Sequence, residues 1–518
     1  MMKYDNPLIY CDYSDPDVYR VGSDHIMTAS SFCNVPGLPI LKSRDLVHWK
    51  LVGYALKKLP DESYARPRHG CGVWAPAIRY HNGLWHICFP MPDEGIFMIR
   101  AKDPAGEWSE PVCLYRGAGF IDPCPFWDED GKAYLVNGVA ASRIGFKSRL
   151  YITPMAEDGL SLTGETRLVY DGTADGNITV EGPKLYKRNG YYYIFAPAGG
   201  VKCGWQVVLR SRYIYGPYES RIVMKQGSTG VNGPHQGAWV EEEDGSSWFI
   251  HFQDVFAAGR IVHLQPVVWK DGWPVIGEPV EGETWGEPVS GGELPWDSDE
   301  PAEPGGLSGD KDLPSLEWQW NAAPGDGWAL PAKGCLRLSA QPFAELAVCD
   351  MPNLLLRKWE APEFEKEFEA DITGLPEGSI CGMVSLGISY GGIILEKRKD
   401  GIMVRSLEGF MVFENEKSRA CESRELLGSC GGSRVRIKMK VSNVNGVTAM
   451  SPKPEYGLGD EAVVLHPREK VRFSVYAGDG SMLGSYSYPA KAGRWVGVKY
   501  GFFCCGEAGE LLVKEVKP

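Results

Sequence analysis

Asp15-Pro16-Asp17-Val18, Trp74-Ala75-Pro76-Ala77, Asp122-Pro123-Cys124-Pro125, Glu181-Gly182-Pro183-Lys184 and His235-Gln236-Gly237-Ala238 open five similar units of this chain. About eight residues after each opening comes a tight-turn signal, namely Gly22-Ser23-Asp24, Asn82-Gly83, Asp130-Gly131, Asn189-Gly190 and Asp244-Gly245. An aromatic or apolar strand follows each turn, as in Leu84-Trp85-His86-Ile87, Tyr191-Tyr192-Tyr193-Ile194 and Trp248-Phe249-Ile250. Third strands are readable in Gly95–Ala101, Val207–Ser211 and Arg260–Leu264. The units recur at roughly 45–60 residues, the period of propeller blades made of four antiparallel strands. The expected fold is therefore all-β, a five-bladed β-propeller over residues 1–290. A β-sandwich with fortuitous spacing would not put Asp, Trp, Asp, Glu and His at the same place in five units.

Composition sets the frame around these units. The chain has 518 residues, 63 of them Gly and 37 Pro, and few helix-period stretches, which favours β structure. Its formal charge of −13 argues against nucleic acid or an anionic membrane as partner and suits a neutral ligand. The opening Met1-Met2-Lys3-Tyr4 has no apolar h-region, and no later segment is apolar enough to span a bilayer. Scattered cysteines without metal-ligand spacing then point to a reducing cytoplasm. Residues 291–312, rich in Gly, Pro and acidic groups, read as a linker that wraps on folded surface through Trp285 and Trp296 nearby. Alternating strands resume over 313–518, for example Glu365–Ala370 and Val471–Val475, and predict a β-sandwich.

Three of the five leading residues are carboxylic acids: Asp15, Asp122 and Glu181. Glycoside hydrolysis needs one carboxyl group kept protonated for the leaving oxygen and a second, ionised, to attack the sugar or activate water. A third nearby can raise the acid's pKa by like-charge repulsion. Glu181, the longest, suits the acid. Singly, Asp-Pro and Glu-Gly-Pro are common turn starters; three at equivalent positions of one repeat are a catalytic set. His235 is expected to contact substrate, lie above an ion on the axis, or satisfy a core hydrogen bond.

Ser14-Asp15-Pro16-Asp17, Ser30-Ser31-Phe32, Pro36-Gly37-Leu38-Pro39-Ile40, Asp45-Leu46-Val47-His48-Trp49, Trp74-Ala75-Pro76, Ile121-Asp122-Pro123, Glu181-Gly182-Pro183-Lys184 and Gly259–Pro266 together resemble glycoside hydrolase family 43. The second domain, opening at Leu316-Glu317-Trp318-Gln319-Trp320-Asn321, resembles that family's C-terminal β-sandwich. The resemblance implies an inverting exo-hydrolase acting on xylo- or arabino-oligosaccharides, with Asp15 as general base, Asp122 as pKa modulator and Glu181 as general acid. It implies that Arg260 holds sugar hydroxyls and that Phe32 and Trp74 wall the terminal sugar. It further implies an aromatic rim residue lent by the sandwich, here Phe502 or Phe503. No cofactor is implied for the chemistry, and the resemblance leaves room for a structural calcium near His235. Two departures stand out: Cys203, where many relatives carry a small hydroxyl residue, and Trp320-Asn321-Ala322, which lacks a polar pair.

The expected activity is release of terminal xylose, with α-L-arabinofuranosidase or dual activity as the alternative. A fructan or sucrose hydrolase shares the two-domain plan but uses Asn-Asp-Pro-Asn and Glu-Cys contexts, absent here. A propeller that binds carbohydrate without catalysis is the competing class. Oligomeric state stays open, a homo-oligomer included.

Overall fold

The structure is a computed structural model describing residues 2–296, 316–332, 334–414, 417–444 and 468–516. Residues 297–312 of the expected linker lie outside the described residues. Strand accounts for 55% of the chain and helix for 3%, so the protein is all-β.

Residues 17–276 form five successive antiparallel sheets, each built from four strands taken in chain order. Their first strands are Asp17–Val21, Ala77–His81, Phe120–Trp127, Lys184–Arg188 and His235–Glu241. Sharp hairpins connect first to second strands because Asn, Asp and Gly tolerate positive φ at both turn positions. Asn82-Gly83 (φ 49° and 77°) and Asn189-Gly190 (φ 50° and 74°) are of this kind.

Each adjoining pair of sheets shares its own apolar cluster. Ile40 and Ile87 join the first sheet to the second, and Cys88 and Leu135 the second to the third. Val136 and Ile194 join the third to the fourth, and Phe195 and Phe249 the fourth to the fifth. Ile250 and Leu264 pack with Val18 and Met27, which returns the fifth sheet to the first. Around the inside the first strands of neighbouring sheets pack on one another, except that the fifth sheet's first strand meets the second and third strands of the fourth, an arrangement in keeping with a propeller.

The leading residues do not all begin strands. Asp15, Trp74 and Glu181 stand two or three residues ahead of theirs, and Asp122 lies within its strand. Proline is the reason: Pro16, Pro76 and Pro183 have no N–H to give to a ladder, so pairing starts one residue later. Pro123 falls in a bulge where the register shifts between Ile121 and Cys124. Each side chain is thereby held on irregular backbone at the mouth of the ring.

The segment after the fifth sheet wraps the propeller. Glu278–Pro279 and Gly286–Glu287 extend the fourth sheet, and Gly291–Leu294 pairs with Met2–Asp5. Trp296 packs edge-on to Trp248 with ring centroids 5.9 Å apart.

Among the described residues, the C-terminal part is two seven-stranded sheets face to face. Phe368, Ile437, Val475, Tyr500 and Phe502 fill the space between them. The sandwich docks on the propeller by backbone bonds in both directions between Val35 and Trp320 (3.0 and 2.6 Å), and by Val498 N–H to the Ala257 carbonyl (2.7 Å). Asn321 turns inward to the carbonyls of Cys349 and Met351, a packing role.

Candidate active site

A cavity of about 410 Å³ opens where the first strands begin, lined by Asp15, Phe32, Trp74, Asp122, Glu181, His235 and Arg260 among others. Seven of the eight residues expected from sequence thus meet in one place. Its size is that of a small-molecule site.

Asp15 sits in the left-handed region (φ 57°), which turns its carboxylate into the ring. Ser30 Oγ donates to its Oδ2 at 2.6 Å, and Arg260 Nη1 lies 3.0 and 3.2 Å from its two oxygens. Asp122 is also left-handed (φ 54°), and its Oδ2 accepts the Gly182 N–H at 2.7 Å. Gly suits that position: φ is 57°, and a Cβ would stand 2.7 Å from the Gln236 side chain, which would have to shift. Glu181 Oε1 is 2.9 Å from His235 Nε2, and its side chain is more exposed than those of the two aspartates.

Burial pushes the Asp122 carboxyl up to about 8, and the neighbouring charges of Glu181 and then Asp15 push the same way. The Gly182 N–H and the buried Lys184 ammonium oppose this without cancelling it. Asp122 therefore retains its proton at neutral pH, beside the carboxyl groups of Glu181 and Asp15. The site has a proton to give and, at Asp15, an arginine-bound carboxylate.

Phe32 and Trp74 line the cavity with ring centroids 6.5 Å apart and planes tilted by 53°. Arg260 also holds the expected base: its Nη1 binds Asp15, while its buried Nε has no protein partner. Cys203 lines the cavity, and burial raises its thiol, which disfavours a thiolate.

Phe502 does not reach the site. It is 1% exposed in the sandwich core, edge-on to Phe368 at 4.9 Å, and Phe503 is equally buried. Both lie on a central strand, Lys499–Cys505, whose side chains are consumed by the two faces of its sheet. The sandwich residue that lines the cavity is Trp495, 45% exposed and 6.3 Å from the Trp74 ring. It stands at φ 67° in the loop before that strand. An aromatic inside Gly493-Arg494-Trp495-Val496-Gly497 was the available signal. Ser30 was likewise missed, though it lies beside Phe32.

His235 and its protein neighbours do not by themselves supply a calcium coordination shell; water would have to complete one. Calcium takes six to eight oxygens, whereas His235 offers nitrogen, with Nε2 engaged by Glu181 and Nδ1 buried without a protein partner. Among the described residues, the one grouping of three metal-ligating side chains is His69, Cys349 and Asp350, which do not line the cavity.

Comparison with known proteins agrees with this geometry. Residues 4–274 match the sequence model of glycosyl hydrolases family 43, and residues 310–512 that of the β-xylosidase C-terminal concanavalin A-like domain. The chain belongs to glycosyl hydrolase family 43. Family 43 enzymes are inverting glycosidases and need no cofactor for catalysis. A Xylanibacter ruminicola protein assigned as a β-xylosidase is 42% identical over 76% of this chain and 73% of its own. A β-xylosidase of Formosa agariphila is 34% identical over 96% of this chain and 87% of its own. Xylan β-1,4-xylosidase from Bacillus halodurans shares the fold, with a TM-score of 0.76 at 20% identity, covering 99% of this chain and all of the other.

Proposed function

We propose that this family 43 enzyme is an exo-acting β-xylosidase that releases terminal xylose from short hemicellulose-derived oligosaccharides with inversion. The observation that carries this reading is a single cavity holding three carboxyl groups and walled by Phe32, Trp74 and Trp495. Aromatic faces suit the C–H face of a pentose, and the sandwich-borne Trp495 limits how far a chain can run through.

In this reading Asp15 is the general base. Ser30 and Arg260 fix its carboxylate so that a lone pair is directed at the attacking water. Glu181 is the general acid: His235 orients it, and Asp122 keeps a proton available to it. Asp122 stays as the tuning group because its oxygen is tied to Gly182 and it is the more buried of the pair. Inversion requires base and acid carboxyls roughly 6.5–9.5 Å apart, with water between.

We read the five sheets as five propeller blades, residues 1–290 as the catalytic domain, 291–312 as the linker and 313–518 as the sandwich. Fourteen cysteines, all free, support a reducing compartment and so a cytoplasmic enzyme acting on imported oligosaccharides in xylan breakdown.

Initial rates on 4-nitrophenyl β-D-xylopyranoside and α-L-arabinofuranoside test the assignment. Xyloside turnover exceeding arabinofuranoside turnover is expected. The reverse order would make the enzyme an arabinofuranosidase, and binding without turnover of either would make it a non-catalytic propeller.

A further inference from the structure

One contact between the two domains lies behind the catalytic centre, at a buried carboxylate the chemistry above does not use. Asp12 is 4% exposed. Its Oδ1 accepts the Arg260 backbone N–H at 2.9 Å and the Ser14 hydroxyl at 3.0 Å. Its Oδ2 accepts the Gly497 N–H at 2.8 Å. Arg260 holds Asp15, which follows Ser14, and Gly497 lies two residues after Trp495. One carboxylate therefore bridges the residue that clamps the base to the sandwich loop that walls the pocket.

The backbones around Asp12 are built for this approach. A Cβ on Gly259 would stand 2.6 Å from both Asp12 Oδ1 and the Gly497 Cα. A Cβ on Gly497 would stand 2.6 Å from the Ala258 carbonyl oxygen and 3.0 Å from the Gly259 Cα. Such distances exclude a side chain at either position, so both glycines are required for the contact. The half-buried Lys358 and the buried Lys499, directly paired across neighbouring sandwich strands, interact electrostatically with Asp12 and supply counter-charge.

We propose that Asp12 is a positioning residue for the hydrolytic reaction, setting Arg260 and Trp495 relative to each other across the domain junction. This rests on the pocket assignment above but not on which pentose is cleaved. The geometry demands an acceptor on both sides. Arg260 N–H and Gly497 N–H are obligate donors, so an amide at position 12 can serve one and must turn its own NH₂ toward the other. Asp12→Asn is nearly isosteric and yet cannot satisfy the junction.

The test is a double-mutant cycle between Asp12→Asn and Trp495→Ala, with kcat and KM measured separately on whichever nitrophenyl pentoside the wild-type enzyme turns over. Asp12→Asn is expected to lower kcat/KM about tenfold. In the Trp495→Ala background its effect should shrink at least about threefold, because part of its action runs through that loop. Multiplicative single effects, or wild-type kinetics with only a lowered melting temperature, would overturn the proposal. Should Asp12→Asn not fold, Gly497→Ala pries the same junction apart without touching a charge and must give the same coupling; additivity there would overturn it equally. Absence of turnover by the wild-type enzyme would instead refute the pocket assignment itself.

Discussion

Replacing Asp122 by Asn should abolish most turnover and, at the same time, make the fold less sensitive to rising pH. The carboxyl is pushed from an ordinary value of 3.8 up to about 8 by burial and by Glu181 and Asp15. The folded protein therefore holds a proton that the unfolded chain releases above about pH 4. Stability contributed by that proton is full at low pH and is lost as pH rises toward about 8, at about 1.4 kcal/mol per pH unit. Between about pH 6 and about pH 7.5 the wild type should lose about 2 kcal/mol relative to Asp122→Asn. For a domain of this size that is roughly 3–4 °C in melting temperature. Asn keeps the bond to the Gly182 N–H through its Oδ1, so no acceptor is lost. Thermal unfolding followed by circular dichroism at the two pH values reads the difference directly. Wild type and variant shifting in parallel with pH would refute the retained proton, and with it the electrostatic argument for the Asp122–Glu181 pair.

Other consequences follow from the same geometry. Glu181→Ala should lower kcat on xylobiose by at least roughly 100-fold, and far less on aryl xylosides with acidic leaving groups, which depart without a proton. Steady-state rates on the two substrate types check it; equal losses would remove Glu181 from the acid role. Trp495→Ala, which strips the sandwich-side wall, should raise KM several-fold with the fold intact, whereas Phe502→Ala, in the sandwich core, should cost about 3–5 kcal/mol of stability. Chemical denaturation and Michaelis kinetics on the two variants separate these effects. Incubation with EDTA followed by assay should leave turnover unchanged, since the protein groups around His235 supply few oxygen ligands; activity lost and then restored by calcium would reveal an ion held there through water.

The catalytic end of the propeller was legible because its signals are local. Each opening couples a polar or aromatic side chain to a proline or glycine, then a hairpin turn at fixed distance, so equivalent positions can be counted along the chain. Asp15, Asp122, Glu181, Trp74 and His235 came from that register, and the family resemblance added Phe32 and Arg260. The register could not show that Arg260 clamps Asp15, because their meeting depends on closure of the ring between residues some 245 positions apart. Trp495 was only faintly legible, as an aromatic in a glycine-flanked loop, for a related reason. Its place in the cavity is set by how the sandwich docks, through Asp12, Gly259 and Gly497, and nothing in its own strand pattern reports that. Phe502 was mistaken because an aromatic near the chain end fits a rim and a core equally well; only the pairing of its strand in mid-sheet decides.

The most direct test of the proposed mechanism is the anomer released in the first turnovers, followed by proton NMR with xylobiose as substrate. Water activated by Asp15 opposite a leaving group protonated by Glu181 must give α-xylose first, with the β-anomer appearing only by mutarotation. Initial release of β-xylose, or no cleavage of xylobiose at all, would contradict the account.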